Sequence, residues 1–166
     1  MDAKNTHKKP QASPLAKGDV NETKFLHSDS WVLLAVILAS KTHAAKLADI
    51  IAAADYANHA IIARAELEIG FAHLFAAGYV AETPDGYSVS EGVKKFWQTA
   101  SSKHRTVLKL WDAVAAFIGV PAWAPRSLPE TAEEHFVTVS DYAAAIEVYQ
   151  QIIRQAMDRV LKPKKK

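Results

Sequence analysis

Apolar and polar positions recur along this chain with two periods, and the helical one dominates. Nine consecutive residues, Trp31 to Ala39, are apolar. Ser28-Asp29-Ser30 ahead of them offers N-cap choices, so a first helix is predicted through Trp31, Leu34, Ile37 and Leu38. A helix that is apolar nearly all round belongs at the centre of a core. Ser40 to Ala44 breaks the pattern. Leu47, Ile50, Ile51 and Ala54 then stand at i, i+3, i+4 and i+7, which predicts a second helix from Lys46 to Tyr56, with Asp49 and Asp55 on its wet side. Asn58 is suited to ending that helix in the left-handed region. Leu67, Phe71, Leu74 and Phe75 form the stripe of a third helix that starts near Arg64 or Ala65, with Glu66 and Glu68 in its favourable first turn.

Period two appears in one place. Gly78 sits where a helix end accepts a left-handed residue. Tyr79-Val80 and Tyr87-Ser88-Val89 then flank Glu82-Thr83-Pro84-Asp85-Gly86, whose Pro-Asp-Gly core is a turn signal. A hairpin from Tyr79 to Val89 is predicted. Ser90 opens a fourth helix with Val93, Phe96, Trp97 and Ala100 on one side. Ser101-Ser102 reads as an interruption before Val107, Leu108, Trp111, Val114, Phe117 and Ile118. Pro121, Pro125 and Pro129 make residues 119–129 a linker or strap, with Trp123 packing back on the body. Ser140-Asp141 caps a last helix, Tyr142 to Leu161. There Tyr142, Ile146, Tyr149, Ile153, Ala156 and Val160 are spaced 4, 3, 4, 3, 4. That alternation suits a coiled-coil seam and equally a face packed on its own domain. As a seam, Tyr142, Ile146, Tyr149 and Ile153 form a homodimer contact.

Composition adds boundaries to this picture. A chain of 166 residues with 49% apolar and 23% charged residues fits one domain with additions. Residues 1–27 are rich in Lys, Asn, Pro, Ser and Gly with little to bury, so they read as a disordered basic arm. Residues 28–100 form the main domain, 101–161 a helical extension, and 162–166 a basic tail. Net charge is +2 overall, but its distribution is uneven. Residues 28–100 hold five basic and eight acidic residues, whereas 101–166 hold ten basic and seven acidic. The positive charge therefore lies outside the main domain. With no cysteine, disulfides and thiolate chemistry are excluded. The apolar run falls far short of the ~20 residues needed to span a bilayer, and no signal-peptide core is present, so a soluble cytoplasmic protein is expected.

The passage Ala77-Gly78-Tyr79-Val80, a Pro-Asp-Gly turn, then Tyr87-Ser88-Val89-Ser90-Glu91-Gly92, preceded by three helices, resembles the winged helix-turn-helix superfamily of bacterial transcriptional regulators. The resemblance covers residues 29–97. It implies a mainly α winged-helix fold: a three-helix core, a small β-hairpin wing with its tip at Asp85-Gly86, and additional C-terminal helices. It also implies a transcription regulator that binds double-stranded DNA through its third helix. Arg64 and His73 on that helix, and Lys94, Lys95, Lys103 and Arg105 after it, are the candidate DNA contacts. The residues themselves qualify this. Opposite its stripe the third helix carries Glu66, Ile69, Gly70, His73 and Ala76, Arg64 is its one firm cation, and the wing adds Asp85. Acids facing phosphates are repelled, and no Asn or Gln is there to read adenine edges. The alternative is a winged helix used as a protein–protein interaction module without DNA.

Chemistry is sparse. No P-loop, dinucleotide-binding glycine pattern, nucleophile elbow or HExxH is present. Asp55 and His59 stand four apart, a metal-ligand spacing, but helix-end hydrogen bonding explains both. Glu133, Glu134 and His135 abut a helix start with no nucleophile nearby. No catalysis, cofactor or metal is expected.

Overall fold

In the computed structural model, which describes residues 25–120 and 132–161, the apolar run lies inside helix α1 (His27–Ala39). Every residue from Asp29 to Ile37 is buried, as a helix without a polar face requires. Helices α2 (Leu47–Asn58), α3 (Arg64–Ala76) and α5 (Val107–Phe117) pack around it. Ile50, Ile51 and Ala54 turn the α2 stripe inward, and Trp31 Nε1 donates to the Ala54 carbonyl at 3.0 Å. The helix starts before the expected Ser28–Ser30 cap. Leu26 is the N-cap, and Asp29, three residues on, accepts its main-chain amide at 2.7 Å. At the end of α2 the left-handed residue is His59 (φ 52°), one beyond Asn58.

Gly78 (φ 68°) ends α3. Its amide donates to Phe75 O and the Tyr79 amide to Leu74 O, the bond pair that consumes a helix's last carbonyls. The hairpin follows as β1 (Val80–Thr83) and β2 (Gly86–Val89). They are antiparallel, with Val80 opposite Val89 and Thr83 opposite Gly86. One residue extends this pair on its other edge. Ala45 exchanges main-chain bonds with Tyr87, 2.7 Å one way and 2.8 Å the other. Tyr87 then stacks on Phe71, ring centroids 4.8 Å apart, and so ties the hairpin to α3.

Helix α4 (Glu91–Lys103) runs through Ser101 and Ser102 without interruption. The break comes at His104, and Thr106 caps α5 through Lys109 N. Phe96 and Phe117 stack at 4.2 Å and hold α4 on α5. The last helix, α6 (Val139–Leu161), begins earlier than Tyr142. Thr138 caps it: its hydroxyl donates to Asp141 Oδ2 at 2.7 Å and accepts the Asp141 amide at 3.0 Å. The protein is thus mainly helical, with a small two-stranded antiparallel sheet. The basic arm up to residue 24, the proline-rich stretch with Trp123, and the tail 162–166 lie outside the described residues.

Candidate functional site

The outward face expected for α3 is largely taken up by the chain itself. From Arg64 to Phe75 no residue is exposed, and Ala76 is the first that is. Arg64 spans to residues some seventy positions away: Nη1 donates to Val137 O at 3.0 Å, and Nη2 to Ala132 O at 2.6 Å. Gly70 faces α1 and not the outside. A Cβ there would lie 2.7 Å from Val32 Cγ2, so the missing side chain is what lets the two helices approach. Glu66 caps its own helix by accepting the Ala63 amide at 3.0 Å. His73 Nδ1 lies 2.7 Å from Asp29 Oδ2, and Asp29 is fully buried.

Glu68 carries the most unexpected role. It is 4% exposed, and its carboxylate accepts three consecutive main-chain amides. His135 N lies at 2.8 Å from Oε1, Phe136 N at 3.0 and 3.1 Å from the two oxygens, and Val137 N at 2.7 Å from Oε2. A buried carboxylate is tolerated when fixed donors replace its water, and charge-assisted bonds of this kind are the stronger ones. Phe136 lies on Phe75 with centroids 4.9 Å apart, and Val137 is fully buried. Tyr87 Oη reaches Phe136 O at 3.5 Å. Residues 132–137 therefore form a strap across α3 and the hairpin. It is held through main-chain atoms 67 to 73 positions away from Arg64 and Glu68, so no spacing in the sequence marked it.

The cations outside α3 are placed differently. Lys94 and Lys95 on α4, Lys103 at its end, and Arg105 before α5 are all exposed. Lys94 Nζ sits 2.6 Å from Glu91 Oε1, and this hydrogen bond holds the Glu91 carboxyl below its usual range. The hairpin turn places Pro84 and Asp85 in solvent.

Three of the four expected dimer residues pack within the chain. Tyr142 Oη donates to Ile62 O at 2.8 Å. Tyr149 Oη donates to Asp55 Oδ2 at 2.6 Å, and that bond, more than burial, pushes its pKa up to about 12. Ile146 is partly buried against the same core, and Ile153 is 40% exposed. Beyond Tyr149 every residue from Gln150 to Leu161 is exposed, including Ile152, Met157, Val160 and Leu161. Asp55, expected in water, is thus an acceptor for α6, and the His59 amide donates to its carbonyl at 2.6 Å. Among the described residues no three His, Asp or Glu side chains gather as a metal site.

Comparison with protein-family models, with curated proteins and with solved structures finds no match. Among the described residues no helix is long and apolar enough to cross a membrane.

Proposed function

We propose that this chain is a winged-helix module that works through protein contacts and not by reading DNA. The winged-helix reading is supported by the order of α1, α2, α3 and the hairpin, with Ala45 bridged to Tyr87 on the hairpin's other edge. The observation that carries the functional reading is the strap over α3. A recognition helix needs free cations to meet the phosphates of the major groove, and here Arg64, the one Arg or Lys of α3, is spent on the carbonyls of residues 132 and 137. A second reading has one observation in its favour: Lys94, Lys95, Lys103 and Arg105 stand exposed along α4 and the start of α5. Binding through them alone would track phosphates without sequence preference.

A mobility-shift assay with random duplex at low salt separates the two. No shift is expected. A shift whose log affinity falls against log salt with a slope of about −0.9 per contacted phosphate would instead establish the DNA reading.

The same module pairs with a second copy through the free end of α6. The 4, 3, 4, 3, 4 spacing runs on past the body through Ile153, Ala156 and Val160, and two identical apolar stripes satisfy it mutually. Its charges, Arg154, Asp158 and Arg159, lie off that stripe. Ile153→Glu combined with Val160→Glu is expected to convert a dimer into a monomer of unchanged helicity by sedimentation. A wild-type chain that sediments as a monomer at high concentration excludes the pairing.

A further inference from the structure

Residues 132–137 lie on α3 as a bound peptide lies in a groove, and two kinds of contact hold them. The polar contacts reach main chain only. Arg64 donates to the carbonyls of Ala132 and Val137, and Glu68 accepts the amides of His135, Phe136 and Val137. The apolar contacts take two adjacent side chains, Phe136 against Phe75 and Val137 in the core. Glu133, Glu134 and His135 remain exposed. Residues 134–137 bend and so turn three consecutive amides onto one carboxylate. A site that fixes such a backbone by charge and takes up two apolar side chains recognises a class of bent segment and not one sequence.

The geometry points to a peptide-binding groove on α3 for which residues 132–137 are the occupant supplied in cis. It takes, from a partner protein, a segment that can adopt the same bend, with an aromatic residue followed by a β-branched aliphatic one. This inference rests on the protein-contact reading above and names the site and the partner's chemistry. Exchanging one main chain for another leaves Arg64 and Glu68 satisfied, so occupancy is decided by the two side-chain pockets and by tethering. A tethered occupant competes at an effective concentration on the order of millimolar. The intact chain therefore takes a free peptide weakly, and weakening the strap uncovers the groove.

The test uses the full-length chain and a fluorescein-labelled peptide reproducing residues 132–140. The double variant Phe136→Ser, Val137→Ser is expected to bind this peptide at least tenfold more tightly than the wild type does, read by fluorescence polarisation. Adding Glu68→Gln, or replacing the peptide's own Phe-Val by Ser-Ser, should each abolish that gain. A strap variant with native circular dichroism that ignores the peptide at millimolar concentration overturns the proposal. If that variant does not fold, the wild type serves: excess peptide must speed hydrogen exchange at the amides of His135, Phe136 and Val137, and unchanged exchange overturns the groove. A duplex shift in the mobility assay, by contrast, would undo the protein-contact reading whatever the peptide does.

Discussion

Glu68→Ala is expected to lower stability by about 3 kcal/mol or more, since hydrogen bonds to a charged group contribute ~1.5–3 kcal/mol and orphaned buried donors cost ~1–3 kcal/mol each. The substitution removes the acceptor of three main-chain amides at once, and Val137 N has no water at hand because its residue is fully buried. It also leaves Arg64, through Ala132 O and Val137 O, as the one charged side chain of α3 on the strap. Glu68→Gln keeps one carbonyl oxygen for part of the set and loses the charge, so its cost should be about half. Urea unfolding measures both. Hydrogen exchange adds the location: amides 135–137 should lose protection in Glu68→Ala while α1 keeps its own. A loss below ~1 kcal/mol, the size of one ordinary neutral hydrogen bond, would mean that the strap is held by Phe136 and Val137 and that the carboxylate is incidental.

The residues that made the fold legible are those whose partners are near in sequence or are simply water. The nine apolar residues of α1 could only be central, and Trp31 to Ile37 are, with Leu38 and Ala39 partly buried against the same core. The i, i+3, i+4 stripes of α2 and α3, Gly78 and the Pro-Asp-Gly turn likewise report local periods and local backbone needs. Errors of one or two residues arose at caps, where neighbouring residues compete. Asp29 serves three positions into α1 and not before it, and Thr138 precedes the Ser140-Asp141 pair as the cap of α6. The strap was not legible. Arg64 and Glu68 find their partners 67 to 73 positions away, and those partners are main-chain atoms that carry no sequence signature. Gly70 was assigned outward because a residue without a side chain adds nothing to a stripe. Its burial against Val32 follows from close helix approach, which periodicity does not encode. Tyr142 and Tyr149 show the same limit in another form. Their spacing suits a dimer seam or an intramolecular one equally, and their hydroxyls, bonded to Ile62 O and Asp55 Oδ2, place them in the latter.

Gly86→Ala should cost more than any other single methyl added to a described glycine with a positive φ, about 3–4 kcal/mol, and Gly78→Ala is its control. Both residues have positive φ, 133° and 68°, so both pay the backbone penalty of a left-handed L-residue, on the order of 1–2 kcal/mol. Their surroundings differ. Nothing lies within 4 Å of a Cβ built on Gly78, whereas one built on Gly86 would meet Ala45 O at 2.3 Å. That oxygen accepts the Tyr87 amide, and the Ala45 amide donates back to Tyr87 O. Backbone cannot move aside as a flexible side chain does, so the methyl must break this pair of bonds, each worth ~1 kcal/mol net, or shift the hairpin. Tyr87 would then slide on Phe71, and its hydroxyl would leave Phe136 O, loosening the strap from its second side. Denaturant midpoints of the two variants, compared at equal slope, isolate the clash from the conformational term. Equal losses in the two would show that the Ala45 bridge yields freely and that the hairpin is held by Tyr87 stacking alone.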